Sequence, residues 1–94
     1  MFHPGTQSSN PEIFTKGLTV VADVIKRANV KVDCLDVGGG FPAPYPHRII
    51  PDLSLFFQFI HDCVKAFGFE GMDLYCEPGR ALVAEAGLLV TRVE

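Results

Sequence analysis

No apolar run in the chain approaches the roughly 18 residues that a membrane-crossing helix requires, and lysine and arginine are nowhere clustered. The first absence argues against a helical membrane span. The second, with 8 basic residues against 11 acidic ones and a net charge of −3, leaves no electrostatic footprint for nucleic acid or for an anionic membrane surface. The N-terminus, Met1-Phe2-His3-Pro4-Gly5-Thr6-Gln7, has neither the basic nor the apolar region of a secretory signal. Cysteine is scarce: Cys34, Cys63 and Cys76 are odd in number and widely spaced. No C-x-x-C or H-x3–5-H spacing is present, and His61 and Cys63 would lie about 200° apart on a helix. No metal site is expected. Three reduced core thiols are, in keeping with a reducing, cytoplasmic compartment.

Two catalytic signatures are also missing, the G-x-x-x-x-G-K-[ST] phosphate loop and the G-x-S-x-G nucleophile elbow. Gly38 to Ala43 formally fits G-x-G-x-x-A, but that fingerprint needs a helix opening at the glycines. Pro42, Pro44 and Pro46 deny it.

What is present is an ordinary globular balance, 48% hydrophobic and 20% charged over 94 residues, with 9 glycines and 7 prolines as punctuation. That length suits one small domain or a piece of a larger one. Ser9-Asn10-Pro11-Glu12 signals a helix start, either a Ser9–Glu12 capping box or an Asn10 cap with Pro11 in the first position. Ile13, Val20, Val21, Val24, Ile25 and Ala28 follow at helical spacing, with Asn29 as the stop. Gly17 inside this helix points to close packing against a sheet. Val30 to Val37 reads as a strand buried on both faces, ending at Gly38-Gly39-Gly40. A proline-stiffened loop runs from Phe41 to about Pro51. Asp52 caps a second helix with Leu53, Phe56, Phe57, Ile60, Val64 and Phe67 on one face. Met72 to Cys76 is a second strand, ending at Glu77-Pro78-Gly79-Arg80. The tail from Ala81 suggests a short helix and then a strand near Gly87.

The order implies parallel strands joined by helices, with the start of the chain at the end of a further strand. His3 and Gly38 are 35 residues apart, and Gly38 and Glu77 are 39 apart. A (β/α)8 barrel averages roughly 31 residues per unit and admits insertions. In a parallel sheet every strand-to-helix turn emerges on one face, where ligands bind. His3–Gln7, Gly38–Gly40 and Glu77–Arg80 all fall there. Consecutive glycines let backbone N–H groups approach an anion, Arg80 suits a phosphate and Thr6 adds a hydroxyl. Glu77 can pair with a cationic heteroatom, and His3 can stack or move a proton. Each feature also has a plainer reading: a tight turn, a terminal histidine, a Glu77–Arg80 ion pair.

Three segments carry a resemblance: Phe2-His3-Pro4-Gly5-Thr6-Gln7, Leu35-Asp36-Val37-Gly38-Gly39-Gly40-Phe41-Pro42 and Glu77-Pro78-Gly79-Arg80-Ala81-Leu82-Val83-Ala84. In order and spacing they resemble the alanine-racemase-fold decarboxylases dependent on pyridoxal 5'-phosphate. The Gly-Gly-Gly-Phe-Pro run with its proline-rich sequel looks most like the ornithine decarboxylase branch. Diaminopimelate decarboxylase and a non-catalytic truncated homologue are the alternatives. The resemblance implies an α/β fold, a partial (β/α)8 barrel of about three βα units. Residues 1–86 would belong to the cofactor-binding barrel and 87–94 would begin the connection to an absent β domain.

The resemblance further implies that His3 stacks on the cofactor ring and steers the reaction, so that His3 and Glu77 are the catalytic pair. Thr6 stands where the family usually has a serine bonding the phosphate. Gly38, Gly39 and Gly40 cradle that phosphate, with Gly40 the closest donor. Glu77 pairs with the pyridine nitrogen, and Gly79 and Arg80 lie near the phosphate. The family's Schiff-base lysine lies upstream on an early strand, and Lys16, Lys26, Lys31 and Lys65 do not match it. An internal fragment, inactive and aggregation-prone alone, is therefore expected. Its parent would be a homodimer with shared active sites that decarboxylates a basic amino acid, ornithine on the main reading, making the polyamine precursor putrescine.

Overall fold

The computed structural model describes residues 1–93. The first helix, α1, spans Ile13–Ala28. Neither predicted start is the one formed: α1 begins after Glu12, whose backbone is already helical at φ −59° and ψ −16° and which carries no side-chain cap bond, while Asn10 Oδ1 accepts the Glu12 N–H at 2.9 Å in the turn that leads into the helix. The helix stops where Asn29 turns left-handed at φ 52°, its N–H returning to the Lys26 carbonyl.

The buried face of α1 differs from the predicted stripe. Phe14 and Leu18 are fully buried, whereas Val20 and Val24 are 63% and 55% exposed. The apolar arc is wider than one stripe: Phe14 and Leu18 take its fully buried part, and Ile13, Val21 and Ile25 of the predicted stripe pack half-buried against the core. Val20 and Val24 instead border an open apolar groove with Met1, Phe2, Val32 and Cys34. Gly17 does mark a close approach, but to Phe2 and not to the sheet: a Cβ there would overlap the Phe2 ring.

Two short strands, β1 (Cys34–Asp36) and β2 (Asp73–Tyr75), pair in parallel with Leu35 opposite Leu74. They are joined through the second helix, α2 (Leu53–Ala66). Asp52 caps α2 as expected, accepting the Ser54 N–H at 2.7 Å. Phe56, Ile60 and Val64 of α2 are buried against Phe14, Leu18, Leu35, Val37 and Phe41. Each such side chain contributes roughly 1.5–3 kcal/mol relative to exposure, so this one cluster holds both helices to the sheet.

Phe41, placed by its sequence in a loop, is the aromatic hub. Its ring centroid lies 5.2 Å from Phe14, 6.3 Å from Phe56 and 5.4 Å from Phe57. Pro42 and Ala43 are buried beside it. The start of the proline loop, Phe41 to Ala43, is therefore part of the core, while residues 44–49 are exposed.

Three expectations are corrected. β1 is not buried on both faces, since Cys34 is exposed while Leu35 is buried; a two-stranded sheet leaves one side uncovered. For the same reason the thiols are free but not all in the core: Cys34 and Cys76 are exposed, and Cys63 is half-buried against the Thr15 hydroxyl at 3.5 Å. The tail forms a five-residue helix, α3 (Gly79–Val83), starting two residues earlier than predicted, and no strand among 87–93. Leu88, Leu89 and Val90 are more than four-fifths exposed, at 91%, 87% and 82%. They pair with neither strand of the sheet.

Residues 1–5 form no strand either, yet they run beside the sheet: the Phe2 carbonyl rests so close to Gly38 that a Cβ would collide with it. The radius of gyration is 15.7 Å, against about 12 Å for a compact domain of this length.

Candidate functional site

Parallel pairing continues past the ends of the two strands. Val37 N–H donates to the Tyr75 carbonyl at 3.0 Å, and Glu77 N–H donates to the Gly38 carbonyl at 2.8 Å. This last bond joins the glycine triplet to the Glu77–Arg80 turn. The N-terminal segment joins them from the other side, where Ser8 N–H donates to the Gly40 carbonyl at 3.0 Å. The three turns thus meet around one cavity of about 210 Å³, lined by His3, Thr6, Gln7, Gly40, Phe41, Glu77, Gly79 and Arg80.

Six of the eight predicted site residues line that cavity: His3, Thr6, Gly40, Glu77, Gly79 and Arg80. Gly38 and Gly39 do not. The Gly38 N–H is already bonded to Asp36 Oδ1 at 2.7 Å, so it is no free donor for an anion. At Gly39 a Cβ would stand 2.8 Å from the Glu77 carbonyl and 3.2 Å from His3 Nε2. These two glycines permit close approach of the neighbouring turns, and Gly40 alone of the triplet faces the cavity. Its φ of 96° lies where side chains are strained, and a Cβ would strike the Gly5 carbonyl.

His3 Nδ1 accepts the Gly5 N–H at 3.2 Å, so in the neutral ring Nε2 carries the proton and points to the Gly39 side. Glu77 and Arg80 form no ion pair among the described residues, which removes the plainer reading of that turn. Both remain exposed. Arg80 instead reaches Tyr45, its Nη1 3.5 Å from the phenol oxygen and its guanidinium carbon 6.0 Å from the ring centroid. Burial, with a smaller contribution from the Asp36 carboxylate, pushes the Cys76 thiol up.

Gln7 and Tyr45 were given no role by their sequence. Gln7 Nε2 donates to the Ala43 carbonyl at 2.6 Å, and Ala43 N–H donates to Gln7 Oε1 at 3.1 Å. Only the fold reveals this, because the partners are 36 residues apart. No lysine lines the cavity. No group of three metal-ligating side chains occurs among the described residues.

The donor set fits pyridoxal phosphate chemically: a guanidinium, a hydroxyl and a glycine face for a phosphate, a carboxylate for a protonated ring nitrogen, and an imidazole beside them. The match to known proteins agrees. Residues 1–84 match the family described as "Pyridoxal-dependent decarboxylase, pyridoxal binding domain". A diaminopimelate decarboxylase of Neisseria meningitidis serogroup A is 35% identical over 77 residues, covering 82% of this chain and 18% of that protein. The solved diaminopimelate decarboxylase of Helicobacter pylori, an I148L mutant complexed with L-lysine, superposes with a TM-score of 0.72 at 29% identity, covering 89% of this chain and 21% of that one. SrLDC, solved with PLP and cadaverine, gives 0.67 at 28% identity, covering 82% and 21%. The chain spans about a fifth of the length of these relatives. It belongs to the pyridoxal-dependent decarboxylases, and what it carries is a segment of their pyridoxal-phosphate-binding (β/α)8 barrel.

Proposed function

We propose that the chain is part of a pyridoxal-phosphate-dependent decarboxylase of diaminopimelate, and that its cavity holds the phosphate and ring of the cofactor. The convergence of His3, Gly40, Glu77 and Arg80 on one rim carries this reading. When bound, the protonated cofactor ring supplies an electron sink for the carbanion left as carbon dioxide departs. Glu77 keeps the ring nitrogen protonated by opposite-charge pairing. Arg80, the Thr6 hydroxyl and the Gly40 N–H bind the phosphate, with Gly79 setting the Arg80 turn. His3 stacks on the ring with its Nε2 proton held inward.

Gly38 and Gly39 act indirectly, by letting these groups come together. Residues 1–86 form the barrel part and 87–94 the approach to a β domain. The parent is a cytoplasmic homodimer, and the isolated chain is inactive for want of the cofactor-linked lysine.

The relatives favour diaminopimelate over ornithine as the substrate. Of the Gly-Gly-Gly-Phe-Pro run behind the ornithine reading only Gly40 and Phe41 line the cavity, and the phosphate role assigned to Gly40 is common to both enzymes. The test is direct: purified full-length protein is supplied with diaminopimelate, ornithine, lysine or arginine, and carbon dioxide release is measured. Preference for diaminopimelate is expected. Preference for ornithine overturns the substrate reading, and no release from any of them overturns the enzymatic one.

A further inference from the structure

We infer that the proline loop is a brace for the phosphate end of the cavity, with Gln7 and Tyr45 as its positioning residues. This rests on the reading that Thr6, Gly40 and Arg80 bind phosphate.

The inference starts from an unusual backbone. Gln7 has φ 57° without being glycine, a conformation that costs free energy and persists only where its surroundings hold it. Two hydrogen bonds hold it: the amide closes both ways on the Ala43 peptide, at 2.6 and 3.1 Å. Ala43 is fully buried in the loop that Phe41 anchors to the core. The next residue, Ser8, bonds the Gly40 carbonyl at 3.0 Å. Three hydrogen bonds therefore fix the Thr6–Gln7 turn to the segment 40–43, and the Thr6 hydroxyl with it.

Two residues further along the loop, Tyr45 approaches Arg80 through both its phenol oxygen at 3.5 Å and its ring face at 6.0 Å. A long guanidinium side chain held in this way loses less rotamer freedom when it meets an anion. One loop, anchored to the core through Phe41–Ala43, thereby links a hydroxyl donor from the first turn to a cation from the third.

The test compares two probes, pyridoxal 5'-phosphate and pyridoxal, which lacks the phosphate. Dissociation constants are measured by fluorescence titration on the full-length apoprotein, and the ratio between the probes is the readout. Gln7→Met and Tyr45→Leu are expected to cut the preference for the phosphorylated probe about tenfold each, the scale of one charge-assisted hydrogen bond. Tyr45→Phe keeps the ring over the guanidinium and retains part of it. Tyr45 is 41% exposed, so its replacement tests the idea even if Gln7→Met does not fold.

A preference unchanged in both variants, or equal weakening of both probes, overturns the brace. Arg80→Met separates the two readings: if it abolishes the preference while Gln7→Met and Tyr45→Leu do not, only the brace falls. If Arg80→Met leaves the preference intact, the phosphate site itself is misassigned and the brace falls with it.

Discussion

Glu77 and Arg80 are three residues apart, opposite in charge and yet unpaired. Each is free to meet a ligand group of the other sign, and the roles proposed for them are separable. On the proposed reading, Glu77→Gln in the full enzyme would remove the charge that keeps the ring nitrogen protonated and leave the phosphate contacts intact. We expect kcat to fall about 10²–10³-fold, the usual cost of one electrostatic contact in a transition state. Cofactor retention, followed by absorbance after dialysis, should change little. Equal losses in both would make Glu77 a structural residue.

The glycine triplet shows how one motif divides at this scale. Gly38 meets the Phe2 carbonyl, Gly39 meets Glu77 and His3, and only Gly40 faces the cavity. Three adjacent glycines are legible in a sequence as a place of close approach. What approaches each of them is not, because the visitors come from residues 2–5 and 77.

Among the elements, α2 is the one whose start at Asp52 and buried stripe were both readable. Its cap has a pH dependence with a definite sign. The hydrogen bonds to Ser54, side chain first and backbone second, hold the Asp52 carboxyl below its ordinary value. The folded state therefore favours the ionised form. This contribution is complete above the unfolded-state value and disappears as the pH falls through the lower folded-state one. Asp52→Ala should melt at lower temperature than wild type at neutral pH, and the gap should narrow on acidification. A constant gap across that range would remove the charged cap from the account.

α1 was legible in its stop at Asn29 and in only part of its buried face. Apolar side chains cover more of its surface than the core can use, and periodicity cannot choose among them. Phe41 escaped for a related reason. Its neighbours are prolines and it belongs to no periodic element, so its burial follows only from the loop folding back under Phe14 and Phe56.

At the scale of the molecule, the two-stranded sheet and the open groove beside α1 are parts of a barrel wall, and the chain has about a fifth of its relatives' length. Val20, Val24, Leu88 and Leu89 are exposed. Exposed apolar surface of this kind drives association, and unpaired strand edges add to it. The isolated chain should sediment as a mixture of oligomers, bind a hydrophobic dye and unfold without a sharp transition. A monomer with a cooperative melt would show that the single core around Phe14, Phe41 and Phe56 suffices on its own.

Local signals determined a good deal of this protein. Proline, glycine and capping residues fixed where the chain turns, helical spacing fixed α2, and the alternation of strand and helix fixed parallel pairing and so the common rim. These depend on neighbours within a few residues, which a sequence displays directly. The tertiary structure decided the rest: which face of α1 is buried, which glycine fronts the cavity, that Glu77 and Arg80 stay apart, and that Gln7 closes on Ala43. Each of those depends on contacts between segments dozens of residues apart, whose distance is set by how the whole core packs and by nothing in the local chain.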